Sequence, residues 1–240
     1  MIGEVLFQIG SLKIYSYGFA VALAFGLGTW LAVREARRRG IPAENIMDLA
    51  LIVTVAGILG SRVLFVLLEL PYYLAHPSEI IFGITTGGLS LHGGLAGGIL
   101  AGIWYARRRH LDPWQLADIF AVPLALGVGI VRLGCLSRGC CYGVPAPYPW
   151  GLDCSLLHDE LRYPTQLYES VLGFILFFFL YRARGHRHFK GWLMFQFIGW
   201  YSVIRFVVEF WRDSPIFLGP LKMAQVASIV LAVAAFGLIP

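Results

Sequence analysis

Apolar runs of about 20 residues alternate with short polar segments along almost the whole chain. A helix needs about 20 apolar residues to cross a bilayer, because it rises about 1.5 Å per residue. The pattern therefore predicts an all-α polytopic membrane protein with about seven transmembrane helices. The predicted spans are residues 15–33, 46–70, 92–106, 114–133, 164–181, 192–211 and 218–239.

Glycines interrupt the apolar pattern on both sides of His92. Residues 80–91 contain three of them, which predicts a re-entrant or interfacial element before His92. Beyond His92, glycines recur every four residues, at positions 93 and 97 and at 94, 98 and 102. A helix face made of glycine lets a neighbouring backbone approach closely, so this stretch is interpreted as a tightly packed helix. His92 itself is the candidate for a functional role.

The composition supports a membrane protein with a single integral domain, residues 1–240. Of the 240 residues 58% are hydrophobic and 14% charged, whereas soluble domains carry about 25% charged residues. Mean hydropathy is +0.71. Residues 134–163 form the longest polar stretch and are expected to be an outer loop or a small periplasmic cap.

The net charge is +5, and the basic residues are concentrated in short segments at the ends of predicted spans. Eleven of the nineteen Lys and Arg residues fall in segments 34–39, 107–109 and 182–190. These segments follow predicted spans one, three and five, and so lie on one side. This is the positive-inside pattern rather than a nucleic-acid-binding stripe. It predicts an N-terminus on the outer side of the membrane and a cytoplasmic C-terminus.

Two classes of segment are not found in the sequence. The first 15 residues have no basic region and no Ala-x-Ala cleavage site, so the first apolar run is expected to be a mature span. There is no internal repeat, which weakens the hypothesis of a small-solute transporter built from inverted repeats.

Charged residues inside predicted spans are the first candidates for chemistry. Each costs about 2.5–3.5 kcal/mol at the centre of a membrane helix, so each needs a partner or a function. Arg205 and Glu209 lie four residues apart on one helix face, and Arg212 continues that face. A structural ion pair and a functional site are both open at this point.

Arginines are also in excess in the predicted outer half of the membrane, where the positive-inside rule predicts few. They are Arg62, Arg132, Arg138, Arg162 and Arg212. Arginine suits two-point recognition of phosphate, which points to a phospholipid headgroup. A positive pocket would hold the anionic headgroup and stabilise a departing phosphate.

Glu169 begins predicted span five, after Pro164, which suits the first turn of a helix. Its carboxylate has two interpretations: a helix-start acid favoured by the dipole, or a polar member of the pocket. The second is favoured because Gln166 and Glu169 share a helix face.

Six motifs occur in order and together resemble the bacterial prolipoprotein diacylglyceryl transferases over nearly the whole chain. The last two are the most specific. The motifs are Tyr15-Ser-Tyr-Gly, Gly60-Ser-Arg62, Gly88-Leu-Ser-Leu-His92-Gly-Gly, Arg132-Leu-Gly, Tyr163-Pro-x-Gln-Leu-Tyr-Glu169 and Arg205-Phe-x-x-Glu209-Phe-x-Arg212.

The resemblance implies a seven-span enzyme of the bacterial inner membrane, with its N-terminus in the periplasm and its active site toward the periplasmic face. The implied reaction transfers the diacylglyceryl group of phosphatidylglycerol to the lipobox cysteine thiol of a preprolipoprotein and releases glycerol phosphate. This is the first step of lipoprotein maturation, and it is expected to need no cofactor and no metal. The implied partners are phosphatidylglycerol, the lipobox peptide and membrane lipid, with no nucleic acid.

The resemblance also implies site residues. Arg132 and Arg205 would hold the leaving phosphate, and His92 would accept the thiol proton, because the thiolate is the competent nucleophile. Whether His92 or the arginine environment activates the thiol is open. Glu209 would orient Arg205, and Tyr17 would hydrogen-bond the headgroup. The full predicted substrate-binding set is Tyr17, Arg62, Gly93, Gly94, Gln166, Glu169, Glu209 and Arg212.

Two alternatives from other classes are kept. The chain could bind or translocate anionic phospholipid without chemistry, or it could modify a different acceptor.

The chain departs from the family pattern after Arg132-Leu-Gly, where the family usually has polar Asn and Glu. Here Cys135, Cys140 and Cys141 stand instead, with Cys154 further on, and Tyr163 occupies a position where His is common. Three interpretations of the cysteines are open. They form disulfides in an oxidising compartment, they are small apolar residues, or they bind a metal, although no Cys-x2-Cys pair with matching histidines occurs.

Overall fold

The computed structural model describes residues 5–9, 12–82, 88–153, 160–185 and 188–239. These residues are mostly helical, which confirms the prediction of an all-α polytopic membrane protein. The seven-span count and the orientation stay predictions. Five described helices are long and apolar enough to cross a membrane: Ser16–Arg38, Ala43–Leu68, Pro113–Arg138, Thr165–Ala183 and Trp192–Trp211.

Helices and two short hairpins make up the described secondary structure. The helices are α1 Ser16–Arg38, α2 Ala43–Leu68, α3 Leu70–Ala75, α4 Glu79–Phe82, α5 Leu91–Arg108, α6 Pro113–Arg138, α7 Thr165–Ala183, α8 Trp192–Val208 and α9 Met223–Gly237. The antiparallel hairpins pair β1 Val5–Ile9 with β2 Leu12–Tyr15, and β3 Ile216–Leu218 with β4 Leu221–Lys222. A 3₁₀ turn, Glu209–Trp211, continues α8.

Large apolar side chains face outward while several charged ones are buried. Leu68 is 67% exposed and Leu91 82% exposed, whereas Glu169 and Glu209 are 0% and 1% exposed. In a soluble protein this arrangement would be reversed. The outward apolar surface is the one expected of helices in contact with lipid tails.

The chain divides into two compact units, of which the second is Val33–Leu116. In it α2 and α5 pack against each other through glycines. A Cβ atom added to Gly60 would lie 2.5 Å from the carbonyl oxygen of Gly93, and one added to Gly97 would lie 2.5 Å from that of Ala56. Backbone therefore touches backbone, which confirms the predicted tight packing of the glycine face. We call this contact the glycine seam.

The first unit comprises Met1–Ala32 and Ala117–Pro240. Its helices also meet where side chains are small. Gly129 of α6 lies against Gly173 of α7, and the Ser170 hydroxyl donates to the carbonyl oxygen of Gly129 at 2.8 Å. This close approach fixes α7 beside α6 and thereby positions the polar residues at the start of α7.

The buried carboxylate of Asp118, on α6, satisfies the first amides of α8. It accepts hydrogen bonds from the backbone N–H of Gly191 at 2.9 Å and of Met194 at 3.1 Å. The first N–H groups of a helix have no partner within that helix. Asp118 therefore supplies a cap for α8 from a different helix.

The structure corrects several predicted boundaries. Residues 218–222 are not part of the last helix, because β3 and β4 form a hairpin there and Gly219 has φ +57° at its turn. The last helix begins only at Met223. Helix α6 continues to Arg138, so the polar segment after it is shorter than predicted.

Two further segments differ from the sequence prediction. Helix α3, just after predicted span two, was not predicted, and its first turn accommodates Pro71. The hairpin of β1 and β2 was not predicted at all. Of the predicted re-entrant element, residues 83–87 lie outside the described residues, and only the start (α4) and the end of the segment are described.

Candidate active site

Three segments of the first unit bring arginine and glutamate side chains together. Arg132 comes from the end of α6, Glu169 from the start of α7, and the others from the end of α8 and just beyond it. We call this group the arginine–glutamate cluster. Its members are Arg132, Glu169, Arg205, Glu209 and Arg212.

Glu169 lies at the centre of the cluster. Its Oε1 accepts a hydrogen bond from Nη2 of Arg132 at 2.9 Å. Its Oε2 lies 3.6 Å from Nη1 of Arg205 and 3.9 Å from Nη1 of Arg212. One carboxylate thus pairs with three guanidinium groups. Glu169 had two interpretations, a helix-start acid or a polar member of a pocket. The structure agrees with the second in that its carboxylate is surrounded by arginines.

Glu209 pairs with Arg205, as their spacing on the helix predicted. Nη2 of Arg205 lies 2.7 Å from Oε2 of Glu209. The same turn is tied to the second hairpin, because the Lys222 ammonium donates to the carbonyl oxygen of Glu209 at 2.8 Å and also to that of Arg212. Both ends of the Arg205–Arg212 segment are therefore held in place.

The charges of the cluster do not cancel. Three guanidinium groups and two carboxylates leave one positive charge in excess. The side chains of Arg132, Arg205 and Arg212 are 18%, 20% and 18% exposed, while both carboxylates are 1% exposed. The carboxylates consequently lie behind, and the guanidinium groups form the accessible side. Such an arrangement can bind an anion.

One donor of the cluster has only an ion-pair contact. The buried Nη1 atom of Arg205 lies 3.6 Å from Oε2 of Glu169 and makes no hydrogen bond among the described residues. Leaving a buried donor unsatisfied costs roughly 1–3 kcal/mol, and more for a charged group. An anionic oxygen bound beside Arg205 would remove that cost.

Tyr201 adds a neutral donor to the cluster. Its hydroxyl donates to Oε1 of Glu169 at 2.9 Å, and its ring stacks on Phe197 with 5.7 Å between centroids. Oε1 of Glu169 thus accepts from both Tyr201 and Arg132, which fixes the direction of the carboxylate.

Gln166 lies beside the cluster but faces the loop that follows α6. Its Nε2 donates to the carbonyl oxygen of Cys140 at 2.6 Å, and the Thr165 hydroxyl donates to that of Cys141 at 2.9 Å. The buried Oε1 of Gln166 has no hydrogen-bond partner among the described residues. Gln166 therefore holds the loop, and its substrate contact stays a prediction.

Three thiols at the end of α6 and in the loop after it are not joined by disulfides. Cys135, Cys140 and Cys141 are free, and Cys154 lies outside the described residues. The hydrogen bond from the Cys135 thiol lowers the pKa of Cys141 to about 5. Burial raises the pKa of Cys140. The loop thus contains two adjacent thiols with pKa values displaced in opposite directions.

Tyr17 lines a cavity of about 420 Å³ at the start of α1. The Arg138 guanidinium lies 5.7 Å from the centre of the Tyr17 ring. The cavity is lined by Tyr15, Ser16, Tyr17, Gly18 and Arg138. Contact of Tyr17 with a lipid headgroup stays a prediction.

The second unit contains His92, the predicted base. It is the second residue of α5, and its side chain is exposed. The next residue, Gly93, is buried in the glycine seam, and Gly94 lies beside it against Gly57. A packing role for these glycines is thus visible. Their substrate contact and the base role of His92 stay predictions.

Arg62, also in the second unit, is buried and bound to backbone. Its Nε donates to the carbonyl oxygen of Ile80 and its Nη1 to that of Gly88, both at 3.0 Å. Its Nη2 donates to the carbonyl oxygen of Glu79. Arg62 therefore holds the two described ends of the segment before His92. Its predicted substrate contact is untested by this geometry.

Two residues of the site were missed from the sequence. Tyr201 lies four residues before Arg205 and so on the same helix face, a spacing that could have identified it. Lys222 reaches the cluster through a hairpin, and its position in the sequence gives no comparable signal.

Comparison with known proteins agrees with the resemblance seen in the motifs. The family model described as prolipoprotein diacylglyceryl transferase matches residues 4–240. A protein of Bacillus cereus strain G9842 called phosphatidylglycerol–prolipoprotein diacylglyceryl transferase is 39% identical over 239 residues, which cover 96% of this chain and 88% of the relative. Proteins with the same name from Bacillus cereus strain Q1 and Bacillus thuringiensis subsp. konkukian are 40% and 39% identical over the same shares.

Proposed function

The chain belongs to the prolipoprotein diacylglyceryl transferase family, and we propose that it transfers the diacylglyceryl group of phosphatidylglycerol to the lipobox cysteine of a preprolipoprotein. The acceptor thiol becomes a thioether and glycerol phosphate leaves. The observation that carries this proposal is the arginine–glutamate cluster. It has one excess positive charge, and its guanidinium groups are on the accessible side.

The cluster suits a phosphodiester that becomes a leaving group. The sulfur of the acceptor attacks the glyceryl carbon bonded to the phosphate oxygen, a C–S bond forms, and the C–O bond breaks. Both electrons of that bond go to the departing phosphate. Because negative charge grows on the phosphate in the transition state, Arg132 and Arg205 stabilise that state more than the ground state. Glu169 and Glu209, behind them, hold the guanidinium groups in position.

The thiol must lose its proton before or during the attack, because the thiolate is the nucleophile. We assign this proton to His92, because histidine is the side chain most often used for general acid–base catalysis. The side chain is exposed at the start of α5 and is therefore open to a substrate. Within the first unit, Arg212, Gln166 and Tyr17 are the proposed headgroup contacts.

The proposed location is the bacterial inner membrane, with the cluster toward the periplasmic face. Three basic segments support this orientation, because they begin in the last turns of α1, α5 and α7, the helices that would run inward. The cluster lies near the C-terminal ends of α6 and α8 and at the N-terminal start of α7. These are the helix ends that would face the outer surface.

The test is transfer by purified full-length protein in detergent micelles containing phosphatidylglycerol and a lipobox peptide. A thioether-linked diacylglyceryl peptide is expected, detected by mass spectrometry. Arg205→Ala should lower the rate by about 10²–10³, the loss typical of one transition-state donor. Arg184→Ala is the matched control, since Arg184 stacks on Tyr181 at the far end of α7, and it should transfer at the unaltered rate.

The rival function, lipid binding or translocation without chemistry, gives different results. It predicts bound phosphatidylglycerol but no modified peptide. It also predicts that His92→Ala leaves all activity intact, whereas loss of a general base lowers the transfer rate by about 10²–10⁴. Transfer to a thiol peptide that lacks the lipobox sequence, with none to the lipobox peptide, would show a different acceptor.

A further inference from the structure

The three described cysteines gather at one point in space. Sγ atoms of Cys135, Cys140 and Cys141 all lie within 4.8 Å of one another, and those of Cys140 and Cys141 are 3.7 Å apart. A Zn–S bond is about 2.3 Å long, so three thiolates around one ion are about 3.8–4.0 Å apart. The triangle of sulfur atoms is thus already close to the size that such an ion requires.

A specific turn creates this triangle. Cys135 lies in the last turn of α6, and the chain then reverses at Gly139 and Cys141, both with φ +66°. The N–H of Cys140 donates to the carbonyl oxygen of Cys135 at 3.2 Å. A non-glycine residue at positive φ is uncommon and persists only where its surroundings hold it, and it is often found at functional sites.

The surroundings of the turn do hold it. Gln166 and Thr165, both buried at the start of α7, donate to the carbonyl oxygens of Cys140 and Cys141 at 2.6 and 2.9 Å. The carbonyl groups are therefore bound by α7, and the thiols point to one another. Because Cys140 and Cys141 are only half-buried, an ion has access to the triangle.

Charge also favours a bound thiolate group. Three thiolates around a divalent ion carry one net negative charge, which is costly to bury alone. Arg138, the last residue of α6, lies between Cys135 and Cys140 in the sequence and supplies a positive charge in the turn itself.

We propose that Cys135, Cys140 and Cys141 form a site for one soft divalent cation of the zinc class, with three thiolate ligands. Three protein ligands leave one position of a tetrahedron open to water or another donor. The sequence alone disfavoured a metal, because the spacing is not that of a Cys-x2-Cys pair. The turn at Gly139 overrides that spacing by folding residue 140 back onto residue 135.

The site can be tested on the full-length protein in detergent, reduced and stripped of metal under anaerobic conditions. Titration with Co²⁺ should give one equivalent bound, with a thiolate-to-cobalt charge-transfer band that Zn²⁺ then abolishes. Each of Cys135→Ser, Cys140→Ser and Cys141→Ser should weaken binding by about tenfold or more. Ser137→Ala is the matched control, because its hydroxyl donates to the carbonyl oxygen of Gly134 at 2.9 Å, and it should bind like the unaltered chain.

A second measurement covers variants that fail to fold. In the unaltered protein, Zn²⁺ should protect the three thiols from alkylation, whereas Mg²⁺ at the same concentration should not, read by peptide mass spectrometry. Absence of the charge-transfer band, its survival in all three variants, or equal protection by Mg²⁺ overturns the assignment. So does a disulfide joining two of the three in the isolated protein. Neither readout involves transferase activity, so the result is independent of the proposed function.

Discussion

The glycine seam in the second unit and the arginine–glutamate cluster in the first are opposite solutions to joining helices. In the seam, α2 and α5 touch because Gly60 and Gly97 have no side chains. In the cluster, α6, α7 and α8 are joined by the longest charged side chains of the chain, around the carboxylate of Glu169. The first contact depends on van der Waals packing and the second on charge pairing away from water.

The difference shows which region is free to carry function. In the seam the backbones meet directly, and no room is left for a ligand between Gly60 and Gly93. The cluster has an unpaired positive charge, partly exposed guanidinium groups and a donor on Arg205 that makes no hydrogen bond among the described residues. The cluster is therefore the region whose charge and exposure suit an anionic ligand.

The largest effect is expected from Glu169→Gln, which removes the central charge while keeping the shape. Removing one partner of a buried ion pair costs about 3–5 kcal/mol, because the remaining charges are left uncompensated. Thermal melting of the purified protein in detergent should show this loss of stability as a lower melting temperature. Glu160→Gln is the control, since its exposed carboxylate pairs with Arg162 and should contribute only about 0–1 kcal/mol.

An equal, small effect of the two variants would contradict the central role of Glu169. It would mean that the arginines find other partners and that the cluster is not held together by this carboxylate.

The next effect tests the glycine seam. Gly97→Ala puts a Cβ atom 2.5 Å from the carbonyl oxygen of Ala56, and backbone cannot move aside as a flexible side chain can. Overpacking of this kind costs about 1–3 kcal/mol, measurable as a lower melting temperature. Gly26→Ala is the control, because nothing lies within 4 Å of its added Cβ atom. If both variants melt alike, α2 and α5 are not in backbone contact.

The smallest effect separates geometry from charge within the cluster. Tyr201→Phe removes the hydroxyl that donates to Glu169 at 2.9 Å and leaves every charge in place. The expected loss of stability is about 0.5–1.5 kcal/mol, that of one hydrogen bond. Tyr181→Phe is the matched control, since its ring packs in the apolar cluster around Leu180. If Tyr201→Phe lost as much stability as Glu169→Gln, the cluster would be stabilised mainly by the Tyr201 hydroxyl and not by the charge of Glu169.

Patterns with a fixed period were the ones that could be predicted. The glycine repeat after His92 predicted a close backbone contact between helices, which α2 and α5 make. The spacing of Arg205 and Glu209 predicted their ion pair. Both depend only on the helical repeat, which sequence shows directly. The centre of the cluster could be named from charge and family resemblance, but its partners could not be matched to one another.

Features that depend on turns were missed for a physical reason. The hairpin of β3 and β4 brings Lys222 to the carbonyl oxygen of Glu209, and the turn at Gly139 brings Cys140 to Cys135. Positive φ at Gly139 and Gly219 directs both reversals, and a glycine in sequence does not state which conformation it takes. Because the residues of the β3–β4 hairpin are mostly apolar, the hydrophobic pattern placed them in the last helix.

Asp118 has a consequence for the other end of α8. By holding Gly191 and Met194 it sets where that helix starts, and Arg205 lies about 21 Å further along at about 1.5 Å per residue. A slip of one residue would swing the Arg205 guanidinium around the axis by about 100° and away from Glu169. The direction of the Arg205 guanidinium thus depends on a carboxylate that lies at the far end of α8.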